Sequence, residues 1–101
     1  MSPSIAPDAL KRIETAFASV IMELVSKPDE LVVSVETIGI EAHVLRVTVA
    51  ASDVGRLVGK QGRTARALRV LLAAASITLG ARVNLDIQHE APEEKSEYAG
   101  P

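Results

Sequence analysis

Two glycines enclose two polar residues in the segment Gly59-Lys60-Gln61-Gly62, and basic residues follow it. Glycine lacks a Cβ atom, so it adopts unusual backbone dihedrals and lets a second backbone approach closely. If a helix begins after Gly62, its first N–H groups and the positive end of its dipole favour a phosphate. Positions 59 to 63 contain no Ser, Thr, Asp or Asn, so we expect no strong side-chain cap there. The segment therefore predicts a phosphate-binding loop.

Charge is segregated along the chain of 101 residues, whose formal net charge is only -2. The stretch from Val54 to Leu85 has six basic residues and no acidic one, whereas all 13 acidic residues lie elsewhere. The six are Arg56, Lys60, Arg63, Arg66, Arg69 and Arg82. A polyanion would be attracted to one region and repelled by the others, so this pattern would orient a partner as well as attract it.

An amphipathic pattern from Arg63 to Leu79 predicts a helix after the loop, and Gly80 is a natural C-terminal stop. On a wheel of about 100° per residue, the arginines of its first half spread over about 120°. They lie opposite the apolar residues that we expect to face the sheet, which are Ala65, Leu68, Leu71, Leu72 and Ala75. Arg69 falls nearly two turns from the loop, and we expect it to lie too far away to share the loop's ligand.

Apolar periodicity predicts the elements that must hold this loop. Spacings of three and four predict a helix from Asp8 to about Ser26, with Glu14 free for solvent. Valine-rich segments predict strands over 31–38 and 42–50, joined as an antiparallel hairpin around Gly39.

The second half of the chain supplies two further elements. Ser52-Asp53 has the chemistry to cap a short helix that ends near Val58. Alternation of Val83, Leu85 and Ile87 with polar residues predicts a third strand. The order α-β-β-α-α-β predicts an α+β domain over 8–90, with a three-stranded mixed sheet and three helices on one face. Residues 91–101 are acidic and predict a disordered tail.

Several other classes of site do not fit this sequence. There is no cysteine, which excludes disulfides and thiolate metal sites and favours the cytoplasm. His43 and His89 have no recognisable catalytic or metal-binding spacing, and we expect both to be exposed strand residues. Gly55 and Gly59 are too close for a nucleotide-binding P-loop. No charge-free segment is long enough to span a bilayer. We therefore expect that the protein is not an enzyme and that it binds no cofactor, metal ion or membrane.

The segment Leu57-Val58-Gly59-Lys60-Gln61-Gly62-Arg63-Thr64-Ala65-Arg66-Ala67-Leu68 resembles the hydrophobic-Gly-x-x-Gly-x-x-hydrophobic signature of KH domains. The element order resembles the prokaryotic type II arrangement. More narrowly, the region from Asp8 to His89 resembles the KhpA family of small bacterial proteins that consist of little more than one KH domain.

This resemblance implies an RNA-binding protein whose loop clamps about four nucleotides of single-stranded backbone, beside an apolar groove for the bases. Carried over by position, the binding residues would be Gly59, Lys60, Gln61, Gly62, Arg63, Arg66, Arg56, Val54, Leu57 and Val58. Val47 or Val49 would line the strand side of the groove. The resemblance also implies an RNA chaperone or post-transcriptional regulator, acting as a homodimer or with a Jag-type (KhpB) RNA-binding protein. The alternative is a protein-interaction or dimerisation scaffold with incidental RNA contact.

Overall fold

A computed structural model describes residues 7–40, 42–80 and 82–89 of the chain. Its helices are α1 (Pro7–Met22), α2 (Val54–Val58) and α3 (Arg63–Leu79), and its strands are β1 (Val32–Thr37), β2 (Ala42–Val49) and β3 (Arg82–His89). Short 3-10 turns lie at Pro28–Glu30, Ala51–Asp53 and Lys60–Gly62. The chain is therefore α+β, with the order α-β-β-α-α-β. The tail predicted for 91–101 lies outside the described residues.

The sheet is mixed and has the order β1-β2-β3. β1 pairs antiparallel with β2, with Val35 opposite Leu45, and the N–H of Ile38 donates to the carbonyl of Ala42 at 2.9 Å to close the hairpin. β2 pairs parallel with β3, with Leu45 opposite Leu85. A parallel pair needs a long crossover connection, and α2 and α3 supply it.

One apolar cluster joins the helices to the sheet. α1 contributes Ile13, Phe17 and Ile21, which recur every fourth residue as the helical period requires. The cluster is completed by Leu45, Val47, Val49, Leu57, Leu68, Leu72, Val83 and Leu85. The strand residues among them alternate along β2 and β3, so they point to one face of the sheet, and the cluster includes residues of all three helices.

Two features of α1 differ from the prediction. The helix ends at Met22, before the predicted Ser26, because long-range hydrogen bonds hold the backbone of Ser26 and Lys27 in another conformation. Glu14 does not point freely to solvent: its Oε2 accepts a hydrogen bond of 3.0 Å from the N–H of Val35 in β1. Tertiary contacts that the periodicity does not encode decide both features.

α3 begins at Arg63 and ends at Leu79, as the sequence predicts. Gly80 follows in the left-handed conformation (φ 80°), and its N–H donates to the carbonyl of Ser76 at 2.9 Å. The hydroxyl of Ser76 in turn accepts a hydrogen bond of 3.1 Å from the N–H of Val83. The end of α3 is thereby fixed to the beginning of β3.

Candidate nucleic-acid interface

The loop between α2 and α3 is a tight, hydrogen-bonded turn. The N–H of Gly59 donates to the carbonyl of Gly55 at 2.8 Å and closes α2, and the N–H of Gly62 donates to the carbonyl of Gly59 at 3.0 Å. Three residues of the loop have positive φ angles, namely Gly59 (80°), Gln61 (58°) and Gly62 (73°). Two hydrogen bonds and three positive φ angles therefore define the backbone path of the loop.

Gly59 is required for two independent reasons. Its φ of 80° is unfavourable for a residue with a side chain. A Cβ atom built on Gly59 would also lie 2.7 Å from the backbone nitrogen of Thr64 and against the Thr64 hydroxyl. Gly62 differs, because a Cβ there would meet nothing within 4 Å. Glycine is thus required at position 59 by both the lack of room for a Cβ atom and the positive φ angle, and favoured at position 62 by the positive φ angle alone.

The start of α3 has no side-chain hydrogen-bonded cap, as the sequence predicts. Gln61, a non-glycine residue in the left-handed region, stands at the exposed side of this turn. The N–H of Gly62 is used within the turn, and the N–H of Arg63 donates to the carbonyl of Lys60. Fewer amides are therefore free for a phosphate than an uncapped helix start suggests, and side-chain charge becomes more important to binding.

Asp53 fixes the position of α2 from beneath the loop. The carboxylate is completely buried and accepts hydrogen bonds from the N–H and hydroxyl of Ser26, both at 2.8 Å, and from the N–H of Lys27 at 3.0 Å. These hydrogen bonds, above all that from the Ser26 backbone, hold the pKa of Asp53 below its ordinary value of 3.8 against the opposing effect of burial. Asp53 makes no capping hydrogen bond to α2, so the predicted cap is wrong.

The predicted basic residues do not all have the same surroundings. Lys60, Arg63 and Arg66 are exposed around the loop and the first turn of α3. Arg56 is also exposed, but its Nε lies 3.4 Å from Oδ1 of Asp53. Arg63 and Arg66 border an open cavity of about 530 Å³ on the outer side of α3. The loop thus carries three exposed cations and a fourth that is held by a buried carboxylate.

A groove runs between α3 and the edge strand β3. Arg69 lines it together with Asn84 and Leu85 in one open cavity of about 280 Å³. A second cavity of about 690 Å³ continues the groove past Ser76 to Gly80 and shares Ala73, Val83 and Asn84 with the first. Its walls combine apolar side chains with the polar groups of an edge strand. Sequence reasoning missed Asn84 and set Arg69 aside, because a helical wheel does not reveal which side of α3 lies beside β3.

Comparison with known proteins gives this site its context. The family model described as KhpA/KhpB, KH domain, matches residues 14–87, which include α2, the loop and α3. This chain belongs to the KhpA/KhpB KH-domain family. The chain is 40% identical over 75 residues to the RNA-binding protein KhpA of Halalkalibacterium halodurans. The aligned residues cover 74% of this chain and 97% of that protein.

Two further relatives are also RNA-binding proteins named KhpA. The RNA-binding protein KhpA of Chlamydia trachomatis is 36% identical over 73 residues, which cover 72% of this chain and 92% of that protein. The corresponding protein of Clostridium acetobutylicum is 42% identical over 64 residues, which cover 63% of this chain and 84% of that protein. The resemblance to the KhpA family found in the sequence is confirmed.

The predicted groove residues of this KhpA/KhpB-family chain divide by burial. Val58 is 38% exposed and Val54 is partly buried, so both can contribute to a surface. Leu57 is completely buried, as is Val47, and Val49 is almost so. Leu57 therefore supports the loop from the core rather than touching a ligand, and neither valine of β2 can line the groove. The strand beside the groove is β3 instead.

The outer face of α3 is apolar, although the sequence analysis predicted apolar residues only on the side that faces the sheet. Leu71 was expected to face the sheet, but it is 52% exposed. Val70 and Ile77 are exposed to 63% and 82%, and the exposed Ala67 and Ala74 lie on the same side of the helix. These five residues, called the outer α3 face below, follow helical spacing on a side of α3 that the core does not use. Because α3 has apolar residues on two sides, the sequence pattern alone does not show which of them face the core.

The two histidines differ in their exposure. His43 is buried, with Nδ1 3.0 Å from the hydroxyl of Thr37, so its predicted exposure is wrong, whereas His89 is exposed. Within 7–40, 42–80 and 82–89, no group of three or more His, Cys, Asp or Glu residues could hold a metal ion. Over the same residues, no helix is long and apolar enough to cross a membrane.

Proposed function

We propose that this chain is an RNA-binding protein whose loop Gly59-Lys60-Gln61-Gly62 holds the backbone of about four nucleotides of single-stranded RNA. One observation carries the proposal: a glycine-bracketed turn, at the start of α3 that lacks a side-chain cap, is surrounded by exposed cations in a chain of the KhpA/KhpB KH-domain family. The relatives' name, RNA-binding protein KhpA, supports the same conclusion.

Each part of the loop has a separate role in this proposal. Gly59 and Gly62 give the turn its shape and leave no side chain between the RNA backbone and the protein. Lys60, Arg63 and Arg66 neutralise phosphates, and Gln61 offers an amide at the exposed side of the turn. Arg56 is oriented by Asp53 before RNA arrives.

The bases would lie beside this phosphate clamp. Val54 and Val58 offer apolar contact on the α2 side, and Leu57 supports them from the core. The cavity between α3 and β3, which Arg69 and Asn84 line, offers further donors and acceptors. The chain has few aromatic residues (2%), so base stacking contributes little and affinity depends mainly on phosphate contacts.

In the cell, we propose a binding role rather than a catalytic one. An RNA chaperone or post-transcriptional regulator in the cytoplasm, acting with a partner protein, fits a single small module with one phosphate-binding loop. Pairing with a second RNA-binding unit, either another copy or a KhpB-type protein, would raise the affinity through multivalency.

The loop proposal is tested by fluorescence anisotropy with a short single-stranded RNA at two salt concentrations. Wild type is compared with the double variant Lys60→Asp plus Gln61→Asp, since aspartate tolerates the left-handed region at position 61. If the loop clamps three or four phosphates, the log-log slope of affinity against salt is roughly -2 to -3 for wild type. We expect the double variant to lose binding and to retain its circular dichroism spectrum.

A matched control replaces two exposed polar residues far from the loop, Lys11→Asp plus Thr15→Asp on α1. It makes the same change in charge, so we expect only a small loss of affinity. Equal loss in both variants would assign the effect to overall charge. Equal binding by wild type and the loop variant, or no binding by wild type at high concentration, would refute the loop clamp.

A second candidate function is favoured by the outer α3 face. Its three large apolar residues are more than half exposed, and the small residues Ala67 and Ala74 on the same side would let another helix approach closely. We propose that a second copy of the chain packs on this face, so that the KH domain also serves as a dimerisation scaffold. Arg63 and Arg66 border the same face, so such a dimer would place two loops on one assembly.

A further inference from the structure

Lys60 is the only lysine among the six basic residues between Val54 and Leu85, and the other five are arginines. Its side chain is exposed and forms no ion pair within the residues that the structure describes. The guanidinium of arginine stays charged, whereas the amine of lysine is a nucleophile in its unprotonated form. Lys60 is therefore the basic group of this segment that acylation can neutralise.

The loop backbone brings Lys60 close to Arg63. The N–H of Arg63 donates to the carbonyl of Lys60, and the residues between them, Gln61 and Gly62, have φ/ψ angles of 58°/25° and 73°/15°. These angles are those of a type I′ β-turn, whose first and fourth Cα atoms lie less than about 7 Å apart. Arg66 follows one helical turn further along α3 and is the surface neighbour of Arg63. Lys60, Arg63 and Arg66 are called the loop cations below.

In the part of the chain that the structure describes, no carboxylate forms an ion pair with the loop cations. The carboxylates nearest along the chain have other partners: Asp53 is buried and bound by Ser26, and Asp86 is paired with Arg46. Arginine binds phosphate through two parallel N–H donors, and unpaired surface cations concentrate small anions around them. The surroundings of Lys60 therefore attract reagents that carry a phosphate group.

From this arrangement, we propose that Lys60 is an acylation site whose reagent is an acyl phosphate, such as acetyl phosphate, and that its acylation weakens RNA binding. Arg63 binds the phosphate group of the reagent, and the unprotonated Nζ of Lys60 attacks the carbonyl carbon. A C–N bond forms, and the bond from the carbonyl carbon to the phosphate oxygen breaks. Inorganic phosphate leaves, and the nitrogen loses a proton to water. The product on the protein is a neutral amide.

The regulatory part of this inference rests on the proposed RNA-binding function of the loop. Acylation removes one of the exposed charges that contact phosphates in that proposal. The hydrogen bonds that close the turn join backbone atoms, so the loop keeps its shape. The remaining charges belong to arginines, so RNA binding weakens and is not abolished. The log-log slope of affinity against salt should become shallower by about 1.

The chemistry is tested on the full chain without RNA. Mass spectrometry of proteolytic peptides measures the acetylation rate of each lysine in acetyl phosphate and in a neutral reagent without phosphate, the N-hydroxysuccinimide ester of acetic acid. Lys27 is the internal reference, because it is exposed and forms no ion pair within the described residues. We expect the rate ratio of Lys60 to Lys27 to be about fivefold to tenfold higher with acetyl phosphate than with the neutral ester.

The role of Arg63 is tested by the same rate ratio. We expect Arg63→Gln, or added inorganic phosphate, to remove the excess at Lys60. The matched control is Arg12→Gln, which removes an exposed arginine of α1 and should keep the excess. Equal ratios with the two reagents in wild type would refute the acyl-phosphate site. Equal loss of the excess in both arginine variants would also refute it, in favour of overall charge.

The second readout compares the RNA affinity of each protein before and after treatment with acetyl phosphate. We expect treatment to weaken binding by wild type and by Lys27→Arg about threefold to tenfold at low salt. Lys60→Arg has no amine in the loop, so its own affinity should not change on treatment. An equal loss in Lys60→Arg, or no loss in wild type acetylated at Lys60, would refute the regulatory role. If no untreated protein binds RNA, the proposed function fails, and the rate ratios still decide whether Lys60 is an acyl-phosphate site.

Discussion

Asp53, at the start of α2, accepts two hydrogen bonds of 2.8 Å from Ser26, one from its backbone N–H and one from its hydroxyl. The two residues are 27 positions apart, and the contact connects the chain that leaves α1 with the helix that carries the loop. A buried carboxylate is tolerated here because backbone and side-chain donors replace water. The position of the loop therefore depends on a charge that no ligand needs to touch.

The variant Asp53→Asn is expected to lower the melting temperature at neutral pH and to flatten its dependence on pH. The folded pKa of Asp53 lies below the ordinary 3.8, so its stabilising contribution is complete above about pH 4 and is lost as pH falls through the folded value. Thermal unfolding followed by circular dichroism, at pH values from about 7 to about 3, measures both effects.

Asp29→Asn is the matched control for this variant, because Asp29 is exposed in the turn after α1. We expect that variant to keep the wild-type pH profile. If Asp53→Asn retained the same loss of stability in acid as wild type, the carboxylate of Asp53 would not be its source.

Gly59→Ala is expected to destabilise the fold and to abolish RNA binding, whereas Gly55→Ala is expected to be harmless. The positive φ at Gly59 costs an alanine about 1–2 kcal/mol, and its contact with Thr64 adds to that. At Gly55, inside α2, a Cβ would meet nothing within 4 Å, and alanine should stabilise the helix by about 0.5–1 kcal/mol. Urea unfolding of the three proteins measures the difference. Equal free energies of unfolding would show that Thr64 and the loop backbone move to accommodate the alanine without loss of stability.

Leu71→Glu plus Ile77→Glu is expected to prevent self-association and to leave the fold intact. Both side chains are more than half exposed, so the carboxylates reach water in the monomer but would be desolvated at a helix interface. Sedimentation velocity across a concentration series should show dimers for wild type and for the α1 control Thr15→Glu, and monomers for the double variant. A wild-type monomer at every concentration would refute the homodimer and leave a KhpB-type partner as the remaining occupant.

Local sequence signals predicted the loop and α3 closely, because their determinants are themselves local. Glycines at 59, 62 and 80 require particular backbone angles, and these positions mark the beginning and end of α3. The alternation of Val83 and Leu85 likewise defines one face of β3 regardless of its neighbours. Short-range chemistry was sufficient at each of these positions.

Residues whose roles depend on distant partners were not predicted correctly. Asp53 has the sequence of a helix cap, yet it binds Ser26 and Lys27, which also shorten α1. Leu71 and Leu72 are equally apolar neighbours, and only the position of the sheet decides that Leu72 is buried and Leu71 exposed. Arg69 was set aside on distance from the loop, although the crossover turns it toward β3. These errors share one cause, the arrangement of elements in space.

The hydrogen bond from the N–H of Val35 to Glu14 has a consequence for the two edges of the sheet. β1 and β3 are both edge strands, and an edge strand invites pairing with another chain. At β1, the carboxylate of Glu14 occupies a backbone donor that an incoming strand would need, and Lys11 lies 3.2 Å from the same carboxylate. α1 thereby protects this edge against strand-to-strand aggregation, whereas β3 borders the groove on the other side of the molecule.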